Sequence, residues 1–134
     1  MFQIRIHGRG GQGVVSASEL LSVAAFEEGK YSQSFPSFGS ERMGAPVQAF
    51  ARISDTEITI REPVMEPDML IIQDPSLFQA VNVFDGAKKE GYLLINSSKT
   101  VKELGIEDIT SQYPKNHVVV LAATEIAIKY IKCT

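Results

Sequence analysis

Phe2-Gln3-Ile4-Arg5-Ile6-His7-Gly8-Arg9-Gly10-Gly11-Gln12-Gly13-Val14-Val15 is the stretch that decides the fold class. Phe2, Ile4 and Ile6 alternate with Gln3, Arg5 and His7, the period-two signature of a β-strand, and the run stops at a cluster of glycines. From Val14 to Lys30 the period changes. Val14, Ala17, Leu20, Leu21, Ala24 and Ala25 recur at three- and four-residue spacing, which predicts a helix packed through that stripe and stopped near Gly29. A strand, a glycine turn and a helix in that order make the first half of a βαβ unit. The turn itself, Gly8, Arg9, Gly10, Gly11, Gln12 and Gly13, fits GxGxxG in the context that gives the pattern meaning. Glycines let the backbone turn tightly and bring its amides near a ligand, and a helix N-terminus carries partial positive charge suited to phosphate or carboxylate.

Outward from this unit, Tyr31 to Phe35 reads as a second strand. A loop, Pro36 to Pro46, follows it where a regular alternation would place a helix. Val47 to Ile53 and Glu57 to Arg61 both read as strands, joined by Ser54-Asp55-Thr56, which predicts an antiparallel hairpin inserted in the sheet. Met69 to Ile72, Tyr92 to Ile95 and Val118 to Leu121 are short apolar runs suited to buried parallel strands. Asp74-Pro75 is a helix start, with Leu77, Phe78, Val81 and Val83 as buried positions; Val101 to Tyr113 is weakly patterned. Thr124 to Lys132 reads as a final helix packed through Ile126, Ala127, Tyr130 and Ile131. The fold class expected is α/β: one Rossmann-like three-layer domain over residues 1–134, with a mainly parallel sheet, helices on both faces and the hairpin insertion.

Composition narrows the functions. The chain has 134 residues, 44% hydrophobic and 22% charged, enough for one domain with a real core. Thirteen basic and 16 acidic side chains leave a formal charge of −3, which gives no general pull toward nucleic acid or an anionic membrane. No apolar run approaches the length of a membrane span and no signal-peptide core follows Met1, so a cytoplasmic protein is expected. The lone cysteine, Cys133, cannot by itself hold a zinc ion or an iron–sulfur cluster. No nucleophile–base motif and no metal-ligand spacing stands out, so neither catalytic nor metal-binding residues are assigned. His7 reads as a hydrogen-bonded structural histidine, His117 as a solvated one, Asp74 as a helix cap, and Ser16 and Ser18 as residues lining the helix start. A nicotinamide site would want an acid at the end of strand two, about 20 residues past the glycines. Glu27 and Glu28 come too early, and the strand ends Ser34-Phe35-Pro36. A stand-alone dinucleotide oxidoreductase is thereby disfavoured, and a non-enzymatic binding module using Phe35 and Phe38 stays open beside a subunit role.

Three blocks carry a family likeness. Arg5 to Val15, the loop Ser34-Phe35-Pro36-Ser37-Phe38-Gly39-Ser40-Glu41-Arg42-Met43-Gly44-Ala45-Pro46-Val47, and the weaker Leu121-Ala122-Ala123-Thr124-Glu125-Ile126-Ala127 resemble the gamma subunit, or equivalent fused domain, of 2-oxoacid:ferredoxin oxidoreductases. Phe35-Pro36, and Gly44-Ala45-Pro46 after Arg42, look most like the pyruvate and branched-chain members. The resemblance implies an assembly that converts a 2-oxoacid, coenzyme A and oxidised ferredoxin to acyl-CoA, carbon dioxide and reduced ferredoxin. It implies thiamine diphosphate, magnesium and 4Fe-4S clusters in partner subunits: alpha, beta and a ferredoxin-like delta chain. It further implies that Gly8, Arg9, Gly10, Gly11, Gln12 and Gly13, with Ser40, Glu41 and Arg42, face the cofactor or coenzyme A. Members of that family usually continue past the last helix, so the sequence ending at Thr134 is expected to lack their C-terminal segment.

Overall fold

The structure, a computed structural model, describes residues 1–37 and 44–130. Strands β1 (Phe2–Arg9), β2 (Tyr31–Pro36), β3 (Pro46–Ser54), β4 (Met69–Ile72), β5 (Tyr92–Asn96) and β6 (Val118–Leu121) form one sheet in the order β2-β3-β1-β4-β5-β6. The helices are α1 (Val14–Glu27), a 3-10 turn at Pro75–Gln79, the one-turn α2 (Val101–Leu104) and α3 (Glu107–Thr110), and α4 (Ala123–Tyr130). β1, β4, β5 and β6 run parallel, whereas β3 is antiparallel to both β1 and β2. The mainly parallel α/β class with an antiparallel excursion is therefore as expected, and no described helix is long and apolar enough to cross a membrane.

Period-two alternation assigns the two faces. Through the registers Ile6↔Ile71, Ile71↔Leu94 and Leu94↔Val119, one face carries Ile4, Ile6, Met69, Ile71, Leu94 and Val119. Over β1 and β3 this face is closed by α1, whose Val14 packs with Ile4, Ile6, Ala49 and Ala51. The opposite face carries Leu70, Ile72, Leu93 and Ile95, sealed by Leu77, Val83 and Ile106 from the crossovers that a parallel sheet requires. The one-turn α2 is fixed by its ends: Thr100 and Glu103 form a reciprocal capping box, and Gly105 closes it at φ 75°.

Five expectations need correction. First, Glu57 to Arg61 is not a strand. The antiparallel partner of β3 is β2, and because β1 occupies the other edge of β3, no ladder position remains for a hairpin. This segment and the residues just after it cross beneath the sheet instead, where carbonyls accept from side chains: Ile60 from Gln33 Nε2 (2.6 Å), Glu62 from Arg52 and Val64 from Arg5 (3.2 Å). Second, the helix after Asp74 is only a 3-10 turn; Leu77 and Val83 are buried as expected, but Val81 is exposed. Third, the inner stripe of α1 is Val14, Ser18 and Ala25 with Ala17 and Leu21, while Leu20 and Ala24 face outward. Ser18 is tolerated there because its hydroxyl donates to the Val15 carbonyl at 2.7 Å. Fourth, Ile126 on α4 is exposed, and the packing expected of Ile131 lies outside the described residues. Fifth, His117 is half-buried, stacked on Tyr92 at 4.1 Å, with Nδ1 against the Glu90 and Gly91 carbonyls.

Candidate functional site

The glycine turn is built by contacts that only some residues permit. A Cβ on Gly8 would sit 2.4 Å from Val14 Cγ2, so the missing side chain lets α1 approach β1. Gly13, the residue that opens α1, has φ 74°, and a Cβ there would meet nothing within 4 Å, so the requirement is the left-handed backbone alone. Gly13 brings no side-chain cap, and the first-turn amides of α1 have no partner within the helix.

Arg9, Gln12, Asp74 and Ser76 form one polar knot around this turn. Arg9 donates from Nε and Nη2 to Ser76 Oγ at 3.1 and 3.0 Å and from Nη1 to the Gly44 carbonyl at 2.9 Å, with Nε 3.4 Å from Asp74 Oδ2. Gln12 is used at both ends: Oε1 accepts from the Arg9 amide at 2.8 Å, and Nε2 donates to Asp74 Oδ2 at 2.9 Å. Asp74 Oδ1 meanwhile accepts from the Ser76 amide at 2.9 Å, the capping role read from sequence. Partial burial alone would push the Asp74 carboxyl up, but donation from Ser76 and Gln12 and the charge of Arg9 outweigh it and hold it below the usual range.

The second motif is attached to the first by backbone. The Gly10 amide donates to the Ala45 carbonyl at 2.9 Å and the Gly44 amide to the Gly10 carbonyl at 3.0 Å, with the Arg9 guanidinium alongside on Gly44. The glycine turn and Gly44-Ala45 of the second motif, distant in sequence, are thus joined in space. Phe35 packs on Phe50 at 5.2 Å, within this domain. Ser40, Glu41 and Arg42, like Phe38, lie outside the described residues.

This unit stands at the C-terminal ends of the parallel strands, where open α/β sheets bind ligands. A cavity of about 700 Å³ lies between Gly11–Gly13 and the ends of β4, β5 and β6, and a neighbouring one of about 630 Å³ shares Gln12, Gln73, Asn96 and Thr124 with it. Asn96 organises the shared wall: Nδ2 donates to the Gln73 carbonyl (3.1 Å) and Thr124 Oγ1 (3.0 Å), while Oδ1 accepts from the amides of Ala123 (2.9 Å) and Thr124 (3.3 Å), which open α4. Gln73 Oε1 is buried without a hydrogen-bond donor. Lys99 brings a cation to the second cavity. Sequence reading passed over Ser76, Asn96 and Lys99; the usable signal was position, since Asn96 ends β5 and Ser76 and Lys99 come shortly after the C-terminal ends of β4 and β5.

His7 is buried, and its pKa is lowered to about 4, first by desolvation and then by the charge of Arg5. Its Nε2 accepts from Arg5 Nε at 2.9 Å, so neutral imidazole is an acceptor inside the fold, the structural role expected. Arg5, which shares its side of β1 with Gln3 and His7, is buried although charged. It donates to the carbonyls of Val64 (3.2 Å), Val83 (3.0 Å) and Asp85 (2.6 Å), tying two crossing loops beneath the sheet. No group of three or more His, Cys, Asp or Glu able to hold a metal ion occurs among the described residues.

The family model for pyruvate ferredoxin/flavodoxin oxidoreductase matches residues 3–132. Pyruvate synthase subunit PorC of Methanosarcina barkeri is 47% identical over 131 residues, covering 98% of this chain and 69% of the relative. The common gamma subunit of pyruvate/ketoisovalerate oxidoreductases of Pyrococcus furiosus is 46% identical over 131 residues, with the same coverages, 98% and 69%. The crystal structure of pyruvate oxidoreductase subunit PORC from Thermotoga maritima superposes with a TM-score of 0.76 at 39% identity, covering 98% of this chain and 67% of that one. The chain spans 62–69% of the length of such curated relatives. With its two motifs joined at one cleft and this likeness running through nearly all of its length, the chain belongs to the pyruvate ferredoxin/flavodoxin oxidoreductase family.

Proposed function

We propose that this chain is a gamma-type subunit of a cytoplasmic, ferredoxin-dependent 2-oxoacid oxidoreductase, working with alpha, beta and ferredoxin-like delta chains on pyruvate. The whole assembly would convert the 2-oxoacid, coenzyme A and oxidised ferredoxin to acyl-CoA, carbon dioxide and reduced ferredoxin. The observation that carries this reading is the joining of the glycine turn to Gly44-Ala45 by two backbone hydrogen bonds at the mouth of the cleft. It makes one surface of Gly8, Arg9, Gly10, Gly11, Gln12 and Gly13 with the stem of the loop that bears Ser40, Glu41 and Arg42. We assign that surface to the side facing coenzyme A or the partner-held cofactor.

The donor chemistry suits an anionic group, with one refinement. Arg9 is engaged by Ser76, Gly44 and Asp74, so it organises the surface, and the anion would be met by the open amides at the start of α1 and by Lys99. Thiamine diphosphate, with magnesium, supplies decarboxylation and 4Fe-4S clusters supply electron transfer when partner chains hold them. Residues 1–134 form the gamma-type domain, to which the relatives' further length would add. A branched-chain 2-oxoacid is the second reading, favoured by the relative whose name joins pyruvate to ketoisovalerate.

The test is purification of the protein from its native source, with partners identified by mass spectrometry and CoA-dependent ferredoxin reduction assayed with pyruvate, 2-oxoisovalerate and 2-oxoglutarate. Thiamine- and cluster-bearing partners with pyruvate activity are expected. A protein without such partners, inactive with all three acids, overturns the reading.

A further inference from the structure

Helix α1 is apolar on two sides. Its inner stripe is buried against β1 and β3, yet Leu20, Val23 and Phe26 on the opposite side are 70%, 55% and 73% exposed. At 100° per residue these three lie within one outward strip, centred on Val23, and Glu19 and Glu27 occupy the same strip at its two ends. A helix exposed to water on one side ordinarily places polar residues there, and one apolar all round is ordinarily covered. From Val14 to Gly29 there is no basic side chain; Lys30, the nearest, is held by Asp55. Neither Glu19 nor Glu27 has a salt-bridge partner among the described residues.

We propose that this strip docks a helix of a partner protein chain, with an apolar ridge set over Leu20, Val23 and Phe26 and two Lys or Arg side chains meeting Glu19 and Glu27. The two acids are eight residues apart (27 − 19), so the partner's cations stand about 12 Å apart at a rise of 1.5 Å per residue. The assignment rests on the reading of the chain as one subunit of a larger enzyme. Charge selects the occupant. A second copy of α1 laid on the strip would bring carboxylate against carboxylate in either direction, and an anionic bilayer would be repelled by the same acids. A basic-flanked apolar helix satisfies both parts of the strip.

The full-length protein, tagged in its native host, provides the test. Three forms are compared: wild type, Leu20→Ser with Phe26→Ser, and Glu19→Lys with Glu27→Lys. Because the replaced side chains are exposed, thermal unfolding of each purified variant should match wild type. Native mass spectrometry is expected to show wild type in a fixed stoichiometry with its thiamine- and cluster-bearing chains. Both double variants should lose about tenfold or more of that assembly, and a photo-crosslinker at Val23 should join one of those chains at a helix bearing Lys or Arg. Assembly unchanged in either variant, a crosslink only to a second copy, or binding of wild type to phosphatidylglycerol vesicles through this strip overturns the docking proposal alone. Wild type free of thiamine- and cluster-bearing chains instead removes the subunit reading on which it rests.

Discussion

The two halves of the sheet are finished differently. In β2-β3-β1 both faces are covered over the middle of the strands, one by α1 and the other by a loop laid across Arg5 and Arg52, with Phe2 and Tyr31 exposed at the strand starts. In β4-β5-β6 the crossovers close one face, while Tyr92, Val119 and Leu121 on the other remain 45–49% exposed. The antiparallel half thus buries even its charges, and the parallel half leaves apolar side chains in water. What distinguishes them is what the carbonyls of the crossing loops bond to. Arg52 reaches Gln3 Oε1 (2.8 Å), Gln33 Oε1 (3.0 Å) and the Glu62 carbonyl, with the Phe35 ring 5.6 Å away, so burial is compensated by hydrogen bonding at each nitrogen.

The largest test of this contrast is Arg5→Ala. It leaves the Val64, Val83 and Asp85 carbonyls without their donor and hollows the interior, and should cost about 3–5 kcal/mol in urea unfolding. A loss under about 1 kcal/mol would mean that the loops hold themselves. Next is acid sensitivity. With a folded pKa near 4 against 6.5, His7 stays neutral in the fold while the unfolded chain takes up a proton. Its contribution is full above about pH 6.5 and falls away toward pH 4, by up to about 3 kcal/mol at 1.36 kcal/mol per unit. His7→Gln, which keeps an acceptor for Arg5, should flatten that slope; an unchanged slope would place the acid sensitivity elsewhere.

Gly8→Ala comes third. The new methyl meets Val14 Cγ2, which should cost about 1–3 kcal/mol, and Val14→Ala in the same chain should return part of it. If the second change returns nothing, helix approach is not what Gly8 serves. The smallest effect belongs to the other half: Val119→Thr and Leu121→Thr should each shift stability by within about 0.5 kcal/mol in this chain. A substantially larger loss would show that the open face is packed after all.

Much of this was legible because it is local. Alternation in Phe2 to His7, the change of period at Val14 and the apolar runs of β4, β5 and β6 depend on neighbours in sequence, and the structure places them where they were read. The hairpin failed because Glu57 to Arg61 has the look of a strand but no free edge to join, a fact about topology. The burial of Arg5 was not legible, because alternation tells two faces apart without telling which is wet; where the sheet is covered twice, neither is. At the cleft the glycines announced the turn, whereas the pairing of Gly10 with Gly44 and Ala45 depends on β3 lying beside β1, which spacing alone does not show. Leu20 and Ala24 were counted into the core stripe because α1 is apolar on both sides.

The central place of β1 also bears on synthesis. Its neighbours come from Pro46–Ser54 and Met69–Ile72, so at roughly 5–20 residues per second the strand leaves the ribosome on the order of several seconds before both are available. Helical turns form in under about a microsecond, so α1 can take shape while the strand beside it still has nothing to pair with. During that interval Phe2, Ile4 and Ile6 are an unpaired, β-prone segment, and the charge of Arg5 among them works against pairing with another nascent chain. The same guanidinium that later ties down the loops therefore acts first as a gatekeeper.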